Sequence, residues 1–189
     1  MPQQIVDTYA NDWRLDAAGT VAVRPAASNT WQSVSVGGVV GWQFLLADSV
    51  GFIWIGGPAG LRRLDPHRST EGWQPPSNAD LPNTAVTALA HSPDGLALAG
   101  FATGEIVEVD IDATGQTIVS VLPRESSPVR GLACSVDGEL LVRTEHGQHT
   151  RPAAPTAWQR SWRELARLPG GNHDLFAIDT YFRLAFMVA

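Results

Sequence analysis

Acid/base chemistry has few starting points in this chain. Asn172, His173 and Asp174 are consecutive, and a carboxylate beside a histidine is the minimum equipment for general acid/base work. Glu145 and His146 repeat that pairing, Arg124 and Glu125 juxtapose opposite charges, and Asp80 and Asn83 add polar groups. His146 and His149 invite a metal reading, but three residues apart in an extended strand they face opposite sides of a sheet. No metal or cofactor is therefore expected. Trp42 offers an aromatic face on which a sugar or an aromatic ligand could stack.

Composition removes other chemistries. All 13 cationic residues are arginine, so a lysine Schiff base or lysine general base is excluded. With a net charge of −6 and the arginines scattered, no basic stripe exists to neutralise phosphates, and nucleic acid is not an expected partner. Cys134, the single cysteine, cannot form an intrachain disulfide, and its apolar run from Val129 to Ser135 reads as the setting of a buried, inert thiol. Gly56-Gly57-Pro58-Ala59-Gly60 is glycine-rich, but another strand follows it where a phosphate loop needs a helix. There is no G-x-S-x-G elbow, H-E-x-x-H, paired C-x-x-C or N-x-S/T site.

The elements that must position these residues repeat. Gly51, Gly95 and Gly138 are spaced 44 and 43 residues apart, and Gly60, Gly104 and Gly147 follow the same ruler. Trp31 and Trp73 lie 42 apart, and Trp158 follows 85 later, two periods on. Short apolar runs divided by glycine turns fill each period, as half-buried antiparallel strands require. A period of this length holding four strands is the signature of a propeller array. The expected fold is all-β, a β-propeller of four-stranded antiparallel blades, with about four complete blades plus a partial fifth. The ruler sets blade 1 at about 1–37, blade 2 at 38–80, blade 3 at 81–125, blade 4 at 126–166 and the partial blade 5 at 167–189. Trp158 to Leu168 has some helical spacing, but its registration with Trp31 and Trp73 favours an outer strand.

The stretch from Asp48 to Asp65, DSVGFIWIGGPAGLRRLD, resembles the two-component-regulator type of propeller repeat, matching it at Asp48, Gly51, Trp54, Gly56, Gly60, Leu61 and Asp65. The Gly56-Gly57 pair with the later Trp73 also resembles a kelch repeat, the second choice. In either kind the connections between blades and the second-to-third strand loops share one face, the ligand face. That face is expected to carry Trp42, Arg124, Glu145, His146, Asn172, His173 and Asp174 as ligand-binding residues, with none of them assigned a catalytic role. Turn chemistry accounts for Asp48, Asp94 and Asp137, and packing between blades for Trp13, Trp31, Trp54, Trp73 and Trp158.

The expected function is recognition or scaffolding without catalysis, with a small molecule, glycan or protein partner on the loop face. A lyase or hydrolase using histidine and carboxylate groups there is one alternative, and an inactive piece of a larger propeller is another. Phe182 to Ala189 reads as the second strand of an incomplete blade, so a protein partner or a second copy is expected to complete it. No apolar run approaches the roughly 20 residues of a bilayer helix and no signal peptide is visible at Met1. A cytoplasmic location with no membrane partner is thus the default expectation.

Overall fold

A computed structural model describes residues 3–66, 72–76, 81–92, 94–111, 117–135, 139–152, 163–165 and 182–183. These residues form four antiparallel sheets, one after another along the chain, as the repeat predicts. The first sheet runs β1 (Gln3–Val6), β2 (Asp12–Leu15), β3 (Val21–Arg24) and β4 (Gln32–Val34), each strand pairing with the next. The second holds, among the described residues, β5 (Phe44–Ala47), β6 (Ile53–Gly57) and β7 (Gly60–Leu64), with an antiparallel bridge from Arg63 to Gln74 on its outer side. The third comprises β8 (Val86–His91), β9 (Ala97–Phe101), β10 (Ile106–Ile111) and β11 (Thr117–Leu122). The fourth comprises β12 (Val129–Ser135), β13 (Glu139–Thr144), β14 (Gly147–Pro152) and β15 (Arg163–Leu165). The segment with some helical spacing thus supplies an outermost strand. Of the expected fifth unit, only β16 (Phe182–Arg183) is described, and it pairs antiparallel with Ser135 and Cys134 on the inner edge of the fourth sheet.

The first strand of each sheet packs against the first strand of the next, β1 on β5, β5 on β8 and β8 on β12. The core is accordingly a series of layers, each shared by two neighbouring blades. Trp13, Leu15 and Val21 of the first sheet meet Trp42, Leu45, Ile53 and Ile55 of the second. Phe44, Leu46 and Trp54 meet Val86, Leu89 and Phe101, and Ala88, Leu98 and Ile106 meet Val129, Leu132 and Leu140. Two glycines set how closely blades approach. A Cβ built on Gly56 would lie 2.6 Å from Val86 Cγ1, and one on Gly100 would lie 2.5 Å from Val129 Cγ1. The valine of the next blade sits in the space a side chain would need.

The turn between the first and second strands is held from inside. Asp48 is buried; its Oδ1 accepts from the N–H groups of Val50, Gly51 and Phe52 at 2.8–3.0 Å, and its Oδ2 accepts from Trp54 Nε1 at 2.7 Å. Asp7 does the same in blade 1, accepting from Tyr9 N, Asn11 N and Asn11 Nδ2, and from Trp13 Nε1 at 2.8 Å. The ruler carries Asp48 to Ser92 and Ser135 and carries Trp54 to Leu98 and Leu141. The hydroxyls of Ser92 and Ser135 accept from Leu96 N and Glu139 N at 3.1 and 2.9 Å. Carboxylate and indole change together. An aspartate here has two oxygens to satisfy; in blade 2 the indole satisfies the second, and in blade 1 the indole shares it with Asn11 Nδ2. The expectation for Asp94 is corrected accordingly: its side chain is exposed, Ser92 holds the turn, and Asp94 contributes only a carbonyl that accepts from Ser49 Oγ at 3.0 Å. Asp137 lies outside the described residues.

Four substitutions test these supports. Gly100→Ala forces its methyl against Val129 and should cost about 1–3 kcal/mol, whereas Gly131→Ala, whose Cβ meets only ordinary contacts at 3.5 Å and beyond, should stay within about 1 kcal/mol. Denaturant midpoints measure both, and equal losses would refute the close-approach account. Trp54→Phe strands Asp48 Oδ2 and should cost about 1–3 kcal/mol. Adding Asp48→Ser, the hydroxyl that blades 3 and 4 use, should recover part of the loss. A double variant whose cost is the sum of the two single costs would show that the residues act independently.

Candidate functional site

The connectors 123–128 and 36–43 and the second-to-third strand turns occupy one end of the sheets. They are locked together there. The β9–β10 turn lies under the connector leading to blade 4: Glu125 N donates to Gly104 O at 2.9 Å, and a Cβ on Gly104 (φ +93°) would lie 2.5 Å from Glu125 O. Gly19 makes the same kind of approach to Gly41 and Trp42 at the seam of blades 1 and 2. Arg124, its side chain 61% exposed, reaches back over the turn. Its Nε and Nη2 donate to Thr103 O at 3.0 and 2.6 Å, and Nη1 pairs with Glu105 Oε1 at 3.2 Å. Glu105 Oε2 and Ser127 Oγ are buried without a hydrogen-bond partner beside this clamp.

Glu145 and His146 form the β13–β14 turn, and both are exposed. Thr144 Oγ1 accepts from His146 N at 3.2 Å, which fixes the backbone of the turn. Glu145 Oε1 accepts from Arg130 Nη2 across the hairpin, and that hydrogen bond, with the charge of the same guanidinium, holds the Glu145 carboxyl below the usual range. Glu145 is thus paired with Arg130 in place of the histidine beside it. Trp42 does not face a ligand: it is 3% exposed and packed with Trp13, Leu45 and Ile55 between blades 1 and 2, so its ring serves as core. Asn172, His173, Asp174 and Asp80 lie outside the described residues. Among the described residues no three histidine, cysteine or acidic side chains gather as metal ligands would.

The structure adds a position that the search for motifs missed. In β8 Val86 pairs with Phe101 and Ala88 with Gly100, leaving Thr87 as an extra residue; in β12 Val129 pairs with Thr144 and Gly131 with Arg143, leaving Arg130 as the extra one. Such β-bulges re-aim a side chain at a site. Gln43 holds the equivalent position just before β5, its N–H donating to Gly56 O at 2.9 Å. Gln43, Thr87 and Arg130 are spaced 44 and 43, the ruler of the glycines. Their neighbours Trp42, Val86 and Val129 are buried, whereas Gln43 and Arg130 are exposed and Thr87 is half-buried. Blades 2, 3 and 4 thus each set one polar side chain at the same end of the inner strand. The signal was available as a polar residue recurring among apolar ones.

On the opposite end the chemistry is quieter. Glu108 of β10 accepts a hydrogen bond from Ser92; burial raises its carboxyl above the ordinary range, with Asp94 and Asp110 adding to the rise and the Ser92 bond opposing it. Burial, together with Glu108, pushes the Cys134 thiol up to about 12, so the thiol is inert. Because the folded state binds the Glu108 proton more tightly than the unfolded state does, its contribution is complete below the unfolded pKa. It is lost as pH rises through the folded value. Glu108→Gln should therefore stabilise the protein more at pH 7 than at pH 4, as read from denaturant midpoints; a constant difference between variant and parent would contradict the assignment.

No protein-family model and no curated protein matches the chain. Solved structures do. Virginiamycin B lyase from Staphylococcus aureus superposes with a TM-score of 0.59 at 13% identity, over 87% of this chain and 55% of its own. The extracellular domain of a candidate hybrid two-component system from B. thetaiotaomicron gives 0.61 at 17% identity, over 87% of this chain and 22% of its own. A candidate gluconolactonase gives 0.55 at 15% identity, over 78% and 58%. The chain thus spans less than two thirds of each. Together these likenesses establish the β-propeller architecture, and the regulator domains agree with the resemblance of the Asp48–Asp65 phrase. Among the described residues no helix is long and apolar enough to cross a membrane. The default cytoplasmic location gains no support, since two of the neighbours are extracellular domains.

Proposed function

We propose that this propeller is a recognition module that binds a small polar molecule or glycan, or a polar segment of a protein partner, where the inner strands open onto the loop face. The observation that carries this reading is the recurrence of Gln43, Thr87 and Arg130 at one position of successive inner strands, two of them in bulges. A bulge gives up ladder hydrogen bonds, and it recurs here where three strands present polar groups side by side. The clamp of Arg124 on Thr103 and Glu105 keeps the surrounding loops in place, so the site needs little ordering on binding. Among the described residues the hydrogen-bond partner of the Glu145 carboxylate is Arg130 and not a histidine. Recognition is therefore the reading these residues favour over lyase or hydrolase chemistry.

A thermal-shift screen of sugars, sugar acids and short peptides would supply ligands, and the variants Gln43→Ala and Arg130→Gln would place them. Both substitutions should weaken the best ligand at least about tenfold while leaving the unliganded melting temperature within about 2 °C of the parent. Ligands that bind both variants with parental affinity would move the site elsewhere.

A further inference from the structure

We propose that Glu145 occupies Arg130 as an internal stand-in for the carboxylate of a polyhydroxy acid, which displaces it and reaches Thr87 and Gln43 with its hydroxyls. This rests on the site proposed above and names the class of ligand it takes.

Two arginines stand on the loop face of blades 3 and 4, and they are used differently. The guanidinium of Arg124 is engaged on several sides, by Thr103 O and by Glu105, in holding the turn. Arg130 projects from a bulge, and one of its nitrogens, Nη2, donates to one carboxylate oxygen, Glu145 Oε1. The two side chains are 47% and 49% exposed, so the pair is open to solvent and to competitors. An exposed pair of this kind is held weakly. A guanidinium carries five N–H donors in a planar fork that matches a carboxylate in bidentate fashion, and Glu145 takes only part of that fork. A ligand carboxylate that uses both prongs offers the arm a better partner than Glu145 does.

The rest of the ligand is specified by what lies beside Arg130. Thr87 is the same position one blade earlier and Gln43 the same position two blades earlier, on inner strands that pack in sequence. Both are neutral; the Gln43 amide carries donors and an acceptor, and Thr87 Oγ1, which donates to Gly100 O at 3.3 Å, keeps its lone pairs for a ligand hydroxyl. A chain of hydroxyls ending in a carboxylate satisfies three blades in a row. Among the described residues the carboxylate beside these three positions is Glu145, already paired, which offers little to a dication or a polyamine.

Gluconate and sorbitol separate the two halves of the proposal, since they differ chiefly in the carboxylate. Titration calorimetry on the intact chain should find gluconate bound more tightly than sorbitol. Glu145→Gln should tighten gluconate by about tenfold or more and leave sorbitol unchanged. Arg130→Gln should reduce gluconate to the affinity of sorbitol, and Gln43→Ala should weaken both. Melting temperatures identify any variant that fails to fold; Arg130→Lys, which keeps the charge and loses the fork, then serves in place of Arg130→Gln and should weaken gluconate selectively. If gluconate binds no better to Glu145→Gln than to the parent, or survives loss of Arg130, the stand-in is refuted. Should both compounds bind in a manner sensitive to Gln43 but indifferent to Arg130 and Glu145, the recognition site stands and only its acid specificity falls. Failure of both compounds to bind any form overturns this inference, and the wider ligand screen then decides the recognition reading separately.

Discussion

Blades 2 and 3, and blades 3 and 4, touch through a valine laid on a glycine, and much else follows from how close that contact is. Val86 over Gly56 and Val129 over Gly100 bring the inner strand of one blade so close to the second strand of the blade before it that no additional methyl fits. The valines must point into the seam, so the residue after each cannot continue the ladder in ordinary register. It becomes the extra residue of a bulge, and its side chain turns out at the loop face. Packing in the seam and polarity at the site are two consequences of one local arrangement. Protein interiors tolerate little slack in volume, so the position of Thr87 or Arg130 is set by core contacts and depends little on the loops around it.

A second constraint works at the other end of the blades. A tight turn buries several backbone N–H groups, and each needs an acceptor. Blades 1 and 2 use a carboxylate with an indole to absorb its second oxygen; blades 3 and 4 use a hydroxyl and a leucine. Either solution is self-consistent. Mixing them would leave a buried oxygen or a buried indole N–H without a partner, and that cost explains why the two positions, six residues apart, change as a unit within one chain.

The architecture was legible because it is periodic. The glycine ruler predicts a succession of antiparallel sheets, and the phrase around Asp48 marks a turn. Single residues were harder. Trp42 was read as a ligand platform from its place at the head of an inner strand, but the same place is filled by Val86 and Val129 in later blades, both buried. Asp94 was read as the turn residue because aspartate is common in turns; counting 44 from Asp48 leads to Ser92 instead. The bulged positions were missed for a related reason: glutamine, threonine and arginine share no motif, and only their common register links them. Arg124, Glu145 and His146 do fall on the loop face, but which carboxylate pairs with which arginine is a matter of side-chain reach, and spacing does not encode it.

The layering of the core has a kinetic meaning as well. Each hydrophobic layer belongs to two adjacent blades, and each sheet is a meander whose strands are neighbours in sequence. Contacts therefore span about one repeat, and stability is approximately a sum of blade and nearest-neighbour terms, as in solenoids. A chain organised in this way has no need to assemble distant segments before any native contact forms. Folding spreads from whichever seam closes first, and a lesion in one seam weakens the two blades beside it before it reaches the rest. The seam of blades 2 and 3 is tied at both ends, by valine on glycine at the loop face and by Ser49 to Gly95 and Asp94 at the other. Amide exchange should find both ends of that seam protected.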